Sequence, residues 1–163
     1  MTEFEIDEEM MREWCRRLIF HEGMKLHPYY CMAGKLTIGV GRNLEDNPLS
    51  GEEKRALGDY MHGITINGAM MLLRNDIISC VGALRHYVKA FDKMDKERQY
   101  ALLDMCFQLG AKGVRKFTRM IGYIEHGNFE MAAYECLNSQ YAKQTPSRAK
   151  RIARLIKFGV WKI

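Results

Sequence analysis

One long stretch of helical spacing, residues 66–88, constrains this sequence more than any other feature. Its apolar residues recur at intervals of three and four, which places them on one face of a helix. These residues are Met70, Leu73, Ile77, Val81, Leu84 and Val88. No acidic, proline-rich or low-complexity linker interrupts the stretch. A helix of this length can join two lobes directly, so the sequence predicts a helix over 66–88 with separate structure on each side.

The segment before this helix carries both helix and strand signals. Over residues 10–20, apolar and charged residues alternate at helical spacing. Two β-prone pieces follow at 29–32 and 36–40, and glycines between and after them predict a small hairpin. Ser50, with Glu53 three residues later, predicts a capping box at the start of a short helix.

The segment after the long helix shows helical patterns only. Residues 95–109 carry an apolar stripe dense enough for a buried central helix, and Gly110 and Gly113 are expected to end it. Shorter helices are predicted near 115–125 and 128–138. A last helix is predicted to open with Thr145 as N-cap and Pro146 at the first helical position. The fold class predicted is therefore α+β, predominantly α.

Charge divides the chain unevenly. The net charge of +5 is the sum of −5 over residues 1–13, from six acids and one base, +3 over residues 14–140 and +7 over residues 141–163, which hold no acid. We therefore predict an acidic N-terminal extension over 1–11 and one domain over 12–163. That domain is divided into an α+β lobe at 12–65, the connecting helix at 66–88 and a helical lobe at 89–163. A basic surface favours polyanionic partners.

Several classes of protein are excluded by composition. The five cysteines are widely spaced and form no CxxC pair, which argues against a disulfide framework or a structural zinc site and favours a reducing compartment. They are Cys15, Cys31, Cys80, Cys106 and Cys136. No run approaches the roughly 18 apolar residues of a membrane helix, and an acidic start is the reverse of a secretory signal. We expect no stable membrane insertion and no self-directed export.

Residues 21–42, HEGMKLHPYYCMAGKLTIGVGR, hold most of the candidate chemistry. Glu22 ends an apolar helix, where partial burial would raise its pKa and suit it to general acid catalysis; the alternative is an ordinary helix-end glutamate paired to a base. Metal ligation by His21, His27 and Cys31 is a second interpretation, which lacks a second ligand cluster. A nucleophilic pair of Cys31 with His27 or His86 is a third, which lacks an orienting Asn or Asp. We expect no metal and no cofactor.

The spacing within this stretch resembles the phage-type lysozyme family, glycoside hydrolase family 24. Glu22, eight residues, Cys31, five residues and Thr37 match the signature Glu-x8-(Asp or Cys)-x5-Thr. The resemblance continues in ALLDMCFQLGAKGVRKF at 101–117 and in QTPSRAKR at 144–151. It covers roughly residues 12–162, through three separated motifs in the same order. The fold that it implies is lysozyme-like, with a small α+β lobe, a connecting helix and an all-α lobe.

The resemblance implies an endolysin, a muramidase that cleaves the β-1,4 bond between N-acetylmuramic acid and N-acetylglucosamine in peptidoglycan. It implies that Glu22 donates the proton, that Thr37 helps to hold the attacking water, and that Cys31 stands where many members carry aspartate. A thiol with a pKa of about 8.5 is mostly protonated at pH 7. Cys31 therefore either has a lowered pKa or positions water without taking a full proton. Inversion at the anomeric carbon is expected, and thiolate attack with retention stays open.

Other positions carry over from the resemblance one by one. Arg148 is expected to form an ion pair with Glu22, and Arg42, which replaces a histidine of the family pattern, is expected to pair with Asp76. The residues expected to face the glycan are Phe107, Gln108 and Phe117. At two further substrate contacts the chain departs from the family pattern, with Met120 and Glu135.

Two other functions stay open. A lytic transglycosylase shares the fold type, needs no water-positioning threonine and leaves a 1,6-anhydro end. A basic nucleic-acid-binding helical domain would lose affinity steeply with salt and leaves the GKLTIGVGR hairpin unexplained. For the muramidase we expect peptidoglycan and anionic wall polymers as partners, no nucleic acid and a monomeric state. We expect it in the host bacterial cytoplasm and, after release by a holin, at the cell wall.

Overall fold

The structure, a computed structural model, describes residues 6–159 and falls into two compact units, Met1–Ile78 and Ser79–Ile163. The N-terminal unit contains helices α1 (Glu8–Glu22) and α2 (Gly51–Leu57), strands β1 (Lys25–Tyr30), β2 (Leu36–Gly39) and β3 (Arg42–Asn43), and the first part of α3 (Ile66–Tyr87). The C-terminal unit contains the rest of α3, then α4 (Lys96–Arg115), α5 (Thr118–Glu125), α6 (Phe129–Leu137), α7 (Gln140–Gln144) and α8 (Pro146–Phe158). The predicted fold, α+β and predominantly α, is confirmed.

Helix α1 begins two residues before the position that apolar spacing indicates. The Asp7 side chain accepts the N–H of Glu9 at 2.8 Å, and the acids of the first turn favour the positive end of the helix. Glu8 also accepts two hydrogen bonds from the Arg74 guanidinium, both at 2.9 Å. The helix therefore extends into the predicted acidic extension, of which residues 1–5 lie outside the described part of the chain.

The predicted hairpin is present, and it belongs to a three-stranded antiparallel sheet in the order β1-β2-β3. Strand β1 begins at Lys25, earlier than the sequence indicates, because Pro28 weakens the strand signal. Proline is tolerated here because β1 is an edge strand. Tyr29 pairs with Thr37 across β1 and β2, and Thr37 pairs with Asn43 of β3. The sequence pattern did not indicate β3, because two residues carry no recognisable period.

The predicted capping box starts α2. Glu53 N–H donates to Ser50 Oγ at 3.1 Å, and Ser50 N–H donates to Glu53 Oε1 at 2.9 Å. Helix α2 covers an apolar cluster in which β2 and α3 also take part. Its buried members are Ile38, Leu49 and Leu72, with Leu44, Leu57, Tyr60, Ile64 and Met71 packed around them. This cluster anchors the sheet within the N-terminal unit.

The predicted break at Gly110 is present, whereas two finer predictions in the C-terminal unit are wrong. Gly110 is non-helical (φ +76°, ψ 167°) and divides α4 into a long stretch before it and a short one after it, and Gly113 lies within the short stretch, which runs to Arg115. Thr145 occupies the predicted N-cap position of α8, but its side chain makes no capping hydrogen bond, because its hydroxyl donates to Tyr141 O at 3.0 Å. Pro146 does open α8, which packs against α4, α6 and α7. Over residues 6–159, no helix combines the length and apolarity needed to cross a membrane.

Candidate active site

Glu22 is the last residue of α1, and its carboxylate lies against the turn between β2 and β3. A Cβ atom added at Gly41 would lie 3.3 Å from Glu22 Oε2. Gly41 also has φ +67°, a conformation that side chains disfavour. Gly23 ends α1 directly after Glu22, with its N–H donated to Ile19 O at 2.7 Å. The half-buried carboxyl group is thus held between a helix end and a glycine turn.

Cys31 and Thr37 are brought together by the hairpin. Cys31 follows β1 and begins a tight turn in which Gly34 N–H donates to Cys31 O at 2.8 Å and Cys31 N–H donates to Lys35 O at 3.0 Å. The turn brings backbone N–H groups to the sulfur. Hydrogen bonds from the N–H groups of Lys35 and Ala33, together with the Thr37 hydroxyl, hold the pKa of the Cys31 thiol below its ordinary value, against a smaller opposing effect of burial. A lowered pKa makes the thiolate more available near neutral pH.

The Thr37 hydroxyl has two possible acceptors for its single proton. In the structure it donates to Lys35 O at 2.9 Å. The hydroxyl also contributes to the lowered pKa of the Cys31 thiol, which makes the sulfur the second acceptor. A hydroxyl has one donor hydrogen. Donation to Lys35 O leaves the lone pairs of Thr37 available to other donors, whereas donation to Cys31 favours the thiolate. Thr37 is only 3% exposed, so its hydroxyl has few other partners.

Tyr29 is a site residue that the sequence pattern did not indicate. It faces Thr37 across the strand pair, and the Lys25 ammonium lies 4.3 Å from the centre of its ring. Burial raises the pKa of its hydroxyl, and the nearby negative charges of Glu22 and Cys31 raise it further. The Tyr29 phenol therefore stays protonated and lies close to both groups. Its cross-strand position opposite Thr37 was not predictable without the register.

The predicted ion pair between Arg42 and Asp76 is present, with Nη1 and Oδ1 3.2 Å apart. Arg42 also contacts Glu53, which sequence analysis assigned only to the capping box. Burial acts to raise the pKa of Glu53, but hydrogen bonds from Arg42, Asn75 and the Ser50 N–H lower it to about 2. Burial raises the pKa of Asp76 to about 6, because the Arg42 charge only partly offsets it and the Glu53 charge adds to it.

Arg148 takes part in a buried ion-pair cluster in the C-terminal unit. Its Nε donates to Asp104 Oδ1 at 2.8 Å, and Arg151 Nη2 donates to Asp104 Oδ2 at 3.1 Å. Asp104 is fully buried, so these two guanidinium groups supply its counter-charge. Asp104 lies in the 101–117 motif. An acidic residue within an apolar stripe is the sequence signal that could have indicated this buried ion pair. The predicted pair of Arg148 with Glu22 stays a prediction.

The three residues expected to face the glycan all lie in the C-terminal unit. Phe107 and Gln108 are half-buried in α4, just before the break at Gly110. Phe117 precedes α5, and its ring meets that of Tyr141 edge-on, with centroids 6.2 Å apart. Phe117 also lines a pocket of about 420 Å³, together with the two residues that depart from the family pattern, Met120 and Glu135.

The alternative chemistries find little support in this geometry. Residues 6–159 contain no group of three or more His, Cys, Asp or Glu side chains that could hold a metal ion. The groups around the Cys31 sulfur are backbone N–H groups and Thr37, while the His27 imidazole lies against Gly63, where an added Cβ would be 3.0 Å from Nε2. The site is thus built from a carboxylate, a thiol and a hydroxyl.

A helix-end carboxylate beside a hairpin that carries a thiol and a hydroxyl, with an all-helical second unit, defines a lysozyme-like protein. Residues 20–155 match the family model described as phage lysozyme. The chain belongs to the phage lysozyme family.

The relatives include both eukaryotic and phage proteins. The chain is 28% identical to probable T4-type lysozyme 2 of Dictyostelium discoideum, over 89% of this chain and 94% of that protein. It is 30% identical to probable T4-type lysozyme 1 of the same organism, over 87% and 92%. It is 29% identical to the pre-baseplate central spike protein Gp5 of Enterobacteria phage T4, of which it spans only 28%.

Proposed function

We propose that this protein is a muramidase that hydrolyses the β-1,4 bond between N-acetylmuramic acid and N-acetylglucosamine in peptidoglycan. Glu22 gives a proton to the leaving glycosidic oxygen as that bond breaks. A water molecule attacks the anomeric carbon from the opposite face, so the configuration inverts. Cys31 and Thr37 hold this water, and Cys31 as thiolate accepts its proton. Glu22 has then lost one proton and the Cys31 thiolate has gained one. Proton exchange with solvent restores both groups for the next cycle.

The observation that carries this proposal is the hairpin that places Cys31 at the turn after β1 and Thr37 on β2, with the Glu22 carboxylate held at the end of α1 against Gly41. The N–H groups of Lys35 and Ala33 lower the pKa of the Cys31 thiol, which favours the thiolate form that can act as a base. A thiolate and a hydroxyl on one hairpin supply an acceptor and a second contact for a water molecule. A lytic transglycosylase has no use for such a water, so this arrangement favours hydrolysis.

The test is cleavage of purified peptidoglycan with analysis of the products. New reducing ends are expected, with an inverted anomeric configuration at the first turnover. Glu22→Gln should lower the rate by about 10²–10⁴-fold, which is the usual contribution of general acid catalysis. Glu9→Gln, the same change at an exposed position of α1, should leave the rate unchanged.

Three outcomes would count against the proposal. Products with 1,6-anhydro ends would indicate a transglycosylase. A glycosyl–cysteine adduct and retention would indicate direct attack by Cys31. Salt-sensitive binding to DNA with no glycan cleavage would favour the nucleic-acid-binding alternative.

We further propose the setting in which the protein acts. As a monomer it would reach the wall from a bacterial cytoplasm after a holin opens the membrane, and its basic segment 141–163 would attract anionic wall polymers. Expressed in bacteria, it should leave cells intact until the membrane is permeabilised. Added salt should slow clearing of whole walls more than hydrolysis of a short neutral oligosaccharide, because salt screens long-range attraction. Equal salt sensitivity on both substrates would contradict a role for the basic segment.

A further inference from the structure

Lys35 lies directly opposite Cys31 on the hairpin. The register of β1 against β2 pairs Tyr30 with Leu36, and the hydrogen bond from Cys31 N–H to Lys35 O at 3.0 Å continues this pairing by one residue on each side. Opposite residues of an antiparallel pair project to the same face, with Cβ atoms about 4.5–5.5 Å apart. The side chains of Cys31 and Lys35 therefore start side by side.

A carboxylate holds the Lys35 ammonium in place. Lys35 Nζ donates to both carboxylate oxygens of Asp46, at 2.7 and 2.9 Å. Asp46 is itself fixed, because Asn43 Nδ2 donates to Asp46 Oδ2 at 3.0 Å and Asp46 N–H donates to Asn43 Oδ1 at 3.0 Å. The Lys35 side chain is 40% exposed, and a lysine in such a position otherwise samples many rotamers. The network on Asp46 restricts the ammonium to the end of the hairpin.

The groups around Lys35 are acidic. The titratable groups that face Cys31 or Lys35 from neighbouring elements are Tyr29 of β1, Glu45 and Asp46 of the segment after β3 and, through Tyr29, Glu22 of α1. The hydrogen bond to Asp46 raises the pKa of the Lys35 ammonium, and the charges of Asp46, Glu45 and Cys31 raise it further, against an opposing effect of partial burial. A Coulomb interaction is mutual. The Lys35 ammonium therefore favours the thiolate form of Cys31, just as the thiolate favours the ammonium.

A thiol at this position benefits from a cation in a way that an aspartate does not. An ordinary carboxylate is ionised at any physiological pH, whereas an ordinary thiol is mostly protonated at pH 7. The proposed hydrolysis needs Cys31 as thiolate. The N–H groups of the turn also favour the thiolate, but a backbone N–H is present whichever residue occupies position 35. The charge at position 35 is a property of the lysine side chain.

We propose that Lys35 is a positioning residue of the reaction, whose ammonium, held by Asp46, keeps Cys31 in the thiolate form that accepts the proton of the attacking water. This role rests on the proposed cleavage of peptidoglycan. Lys35 acts through Cys31 and not on the glycan. Because the Lys35 side chain is partly exposed, salt screens its charge, whereas the hydrogen bonds of the turn depend little on salt.

The first test measures the ionisation of Cys31 without any substrate. The rate at which iodoacetamide labels Cys31 is followed against pH by peptide mass spectrometry, and the thiolate is the form that reacts. Lys35→Gln should move the midpoint of this profile to higher pH. Below the midpoint it should slow labelling by about three- to tenfold, the effect of one neighbouring charge in water. Lys35→Arg keeps the charge and should keep the profile, as should Lys54→Gln at an exposed position of α2.

The second test asks whether activity follows the same ionisation. On purified peptidoglycan, kcat/KM should rise with pH as Cys31 ionises, and Lys35→Gln should move this rise by the same amount as the labelling midpoint. Sodium chloride at 1 M should remove most of the difference between the wild type and Lys35→Gln, because the screening length is then about 3 Å. In the Cys31→Asp background, Lys35→Gln should lose most of its effect on the rise, because a carboxylate ionises well below neutral pH.

The outcomes separate this inference from the proposed function. A labelling profile unchanged in Lys35→Gln, with glycan cleavage in the wild type, would overturn the role of Lys35 and leave the muramidase intact. An equal loss of activity from Lys35→Gln in the Cys31→Asp background would also overturn it, because Lys35 would then act independently of the thiol. If the wild type cleaves no glycan while the labelling midpoint still shifts, the muramidase fails and the interaction of Lys35 with the thiolate holds.

Discussion

The Arg42 guanidinium donates two parallel hydrogen bonds to the Glu53 carboxylate, from Nη2 to Oε1 at 2.8 Å and from Nη1 to Oε2 at 3.1 Å. Both side chains are almost fully buried, with exposures of 5% and 6%. The same Arg42 donates its Nε to Asn47 O at 2.9 Å and lies 3.2 Å from Asp76. One cation therefore joins the β2–β3 end of the sheet to the start of α2 and the middle of α3, beside the strand that carries Thr37.

Glu53→Gln should destabilise the protein strongly. Glutamine preserves the capping box, so the change isolates the loss of the charge that faces Arg42. Removal of one partner from a buried pair leaves the other poorly compensated, and because Asp76 remains, we expect a loss of about 3 kcal/mol in the free energy of unfolding. Urea titration at pH 7 measures it. Glu52→Gln, at the exposed neighbouring position, should change stability by less than about 0.5 kcal/mol. An equally small loss of stability in Glu53→Gln would mean that the ion pair with Arg42 contributes little to the free energy of unfolding.

Comparison of the wild type with Asp76→Asn should show that the stability conferred by Asp76 falls as the pH rises, whereas the stability conferred by the carboxylate of an ordinary ion pair grows. The pKa of Asp76 is about 6 in the folded protein, against an ordinary value of 3.8, so between these values the folded state keeps a proton that the unfolded chain has released. Stability conferred by this group therefore falls as the pH rises from about 4 to 6. The variant cannot ionise, so its stability relative to the wild type should improve by about 2 kcal/mol between pH 4 and pH 7. Urea titrations across this range test the trend, and a constant difference would contradict it.

Gly41→Ala should impair catalysis more than stability. The added Cβ would lie 3.3 Å from Glu22 Oε2, so the carboxylate or the turn must shift, and displacement of a catalytic group is costly to the rate. We expect a fall of about tenfold or more in kcat, together with about 1–2 kcal/mol of backbone strain from φ +67°. Gly58→Ala provides the matched control, because Gly58 has the same φ and nothing within 4 Å of an added Cβ. It should lose similar stability and keep its activity; an equal loss of activity in both variants would assign the effect to strain alone.

Cys31 should be the cysteine that reacts fastest with iodoacetamide. Its pKa is lowered by backbone N–H groups, whereas burial raises the pKa of Cys15 and raises that of Cys136 to about 12. Peptide mass spectrometry after brief alkylation at pH 7.5 should locate the label on Cys31, with loss of activity in parallel. Cys31→Ser should lose most activity and Cys31→Asp should keep it. Full activity after complete labelling of Cys31 would exclude it from catalysis.

Sequence patterns with short range predicted the structure best. Two β-prone pieces with glycines between and after them predicted the hairpin, and the four-residue pattern from Ser50 to Glu53 correctly placed the start of α2. Contacts set by three-dimensional packing were beyond such patterns. The hydrogen bond between Arg42 and Glu53 joins residues that are separated by ten others in the chain. The approach of Gly41 to Glu22 depends on the turn between β2 and β3, two strands that pair over only two residues each.

Helix boundaries in the C-terminal unit were predicted better than their capping contacts. Gly110 interrupts the helical conformation as its stop signal predicts, and a short helical stretch follows it to Arg115. Thr145 occupies the predicted N-cap position of α8, but its hydroxyl donates to Tyr141 O at the end of α7 and makes no capping bond. The preceding short helix, which the sequence pattern did not indicate, therefore determines the hydrogen bond of Thr145.

The burial of Asp104 has a consequence for synthesis of the chain on the ribosome. Its carboxylate, in the middle of α4, is neutralised by Arg148 and Arg151, which belong to α8 and are made more than forty residues later. Arg98 of α4 likewise donates to the carbonyls of Ile156 and Lys157. Until α8 has emerged from the exit tunnel, α4 cannot bury that charge without a penalty of several kcal/mol. The helical unit should therefore complete its folding late, in one step with its last helix, and nascent chains released before α8 should be short-lived targets for proteolysis.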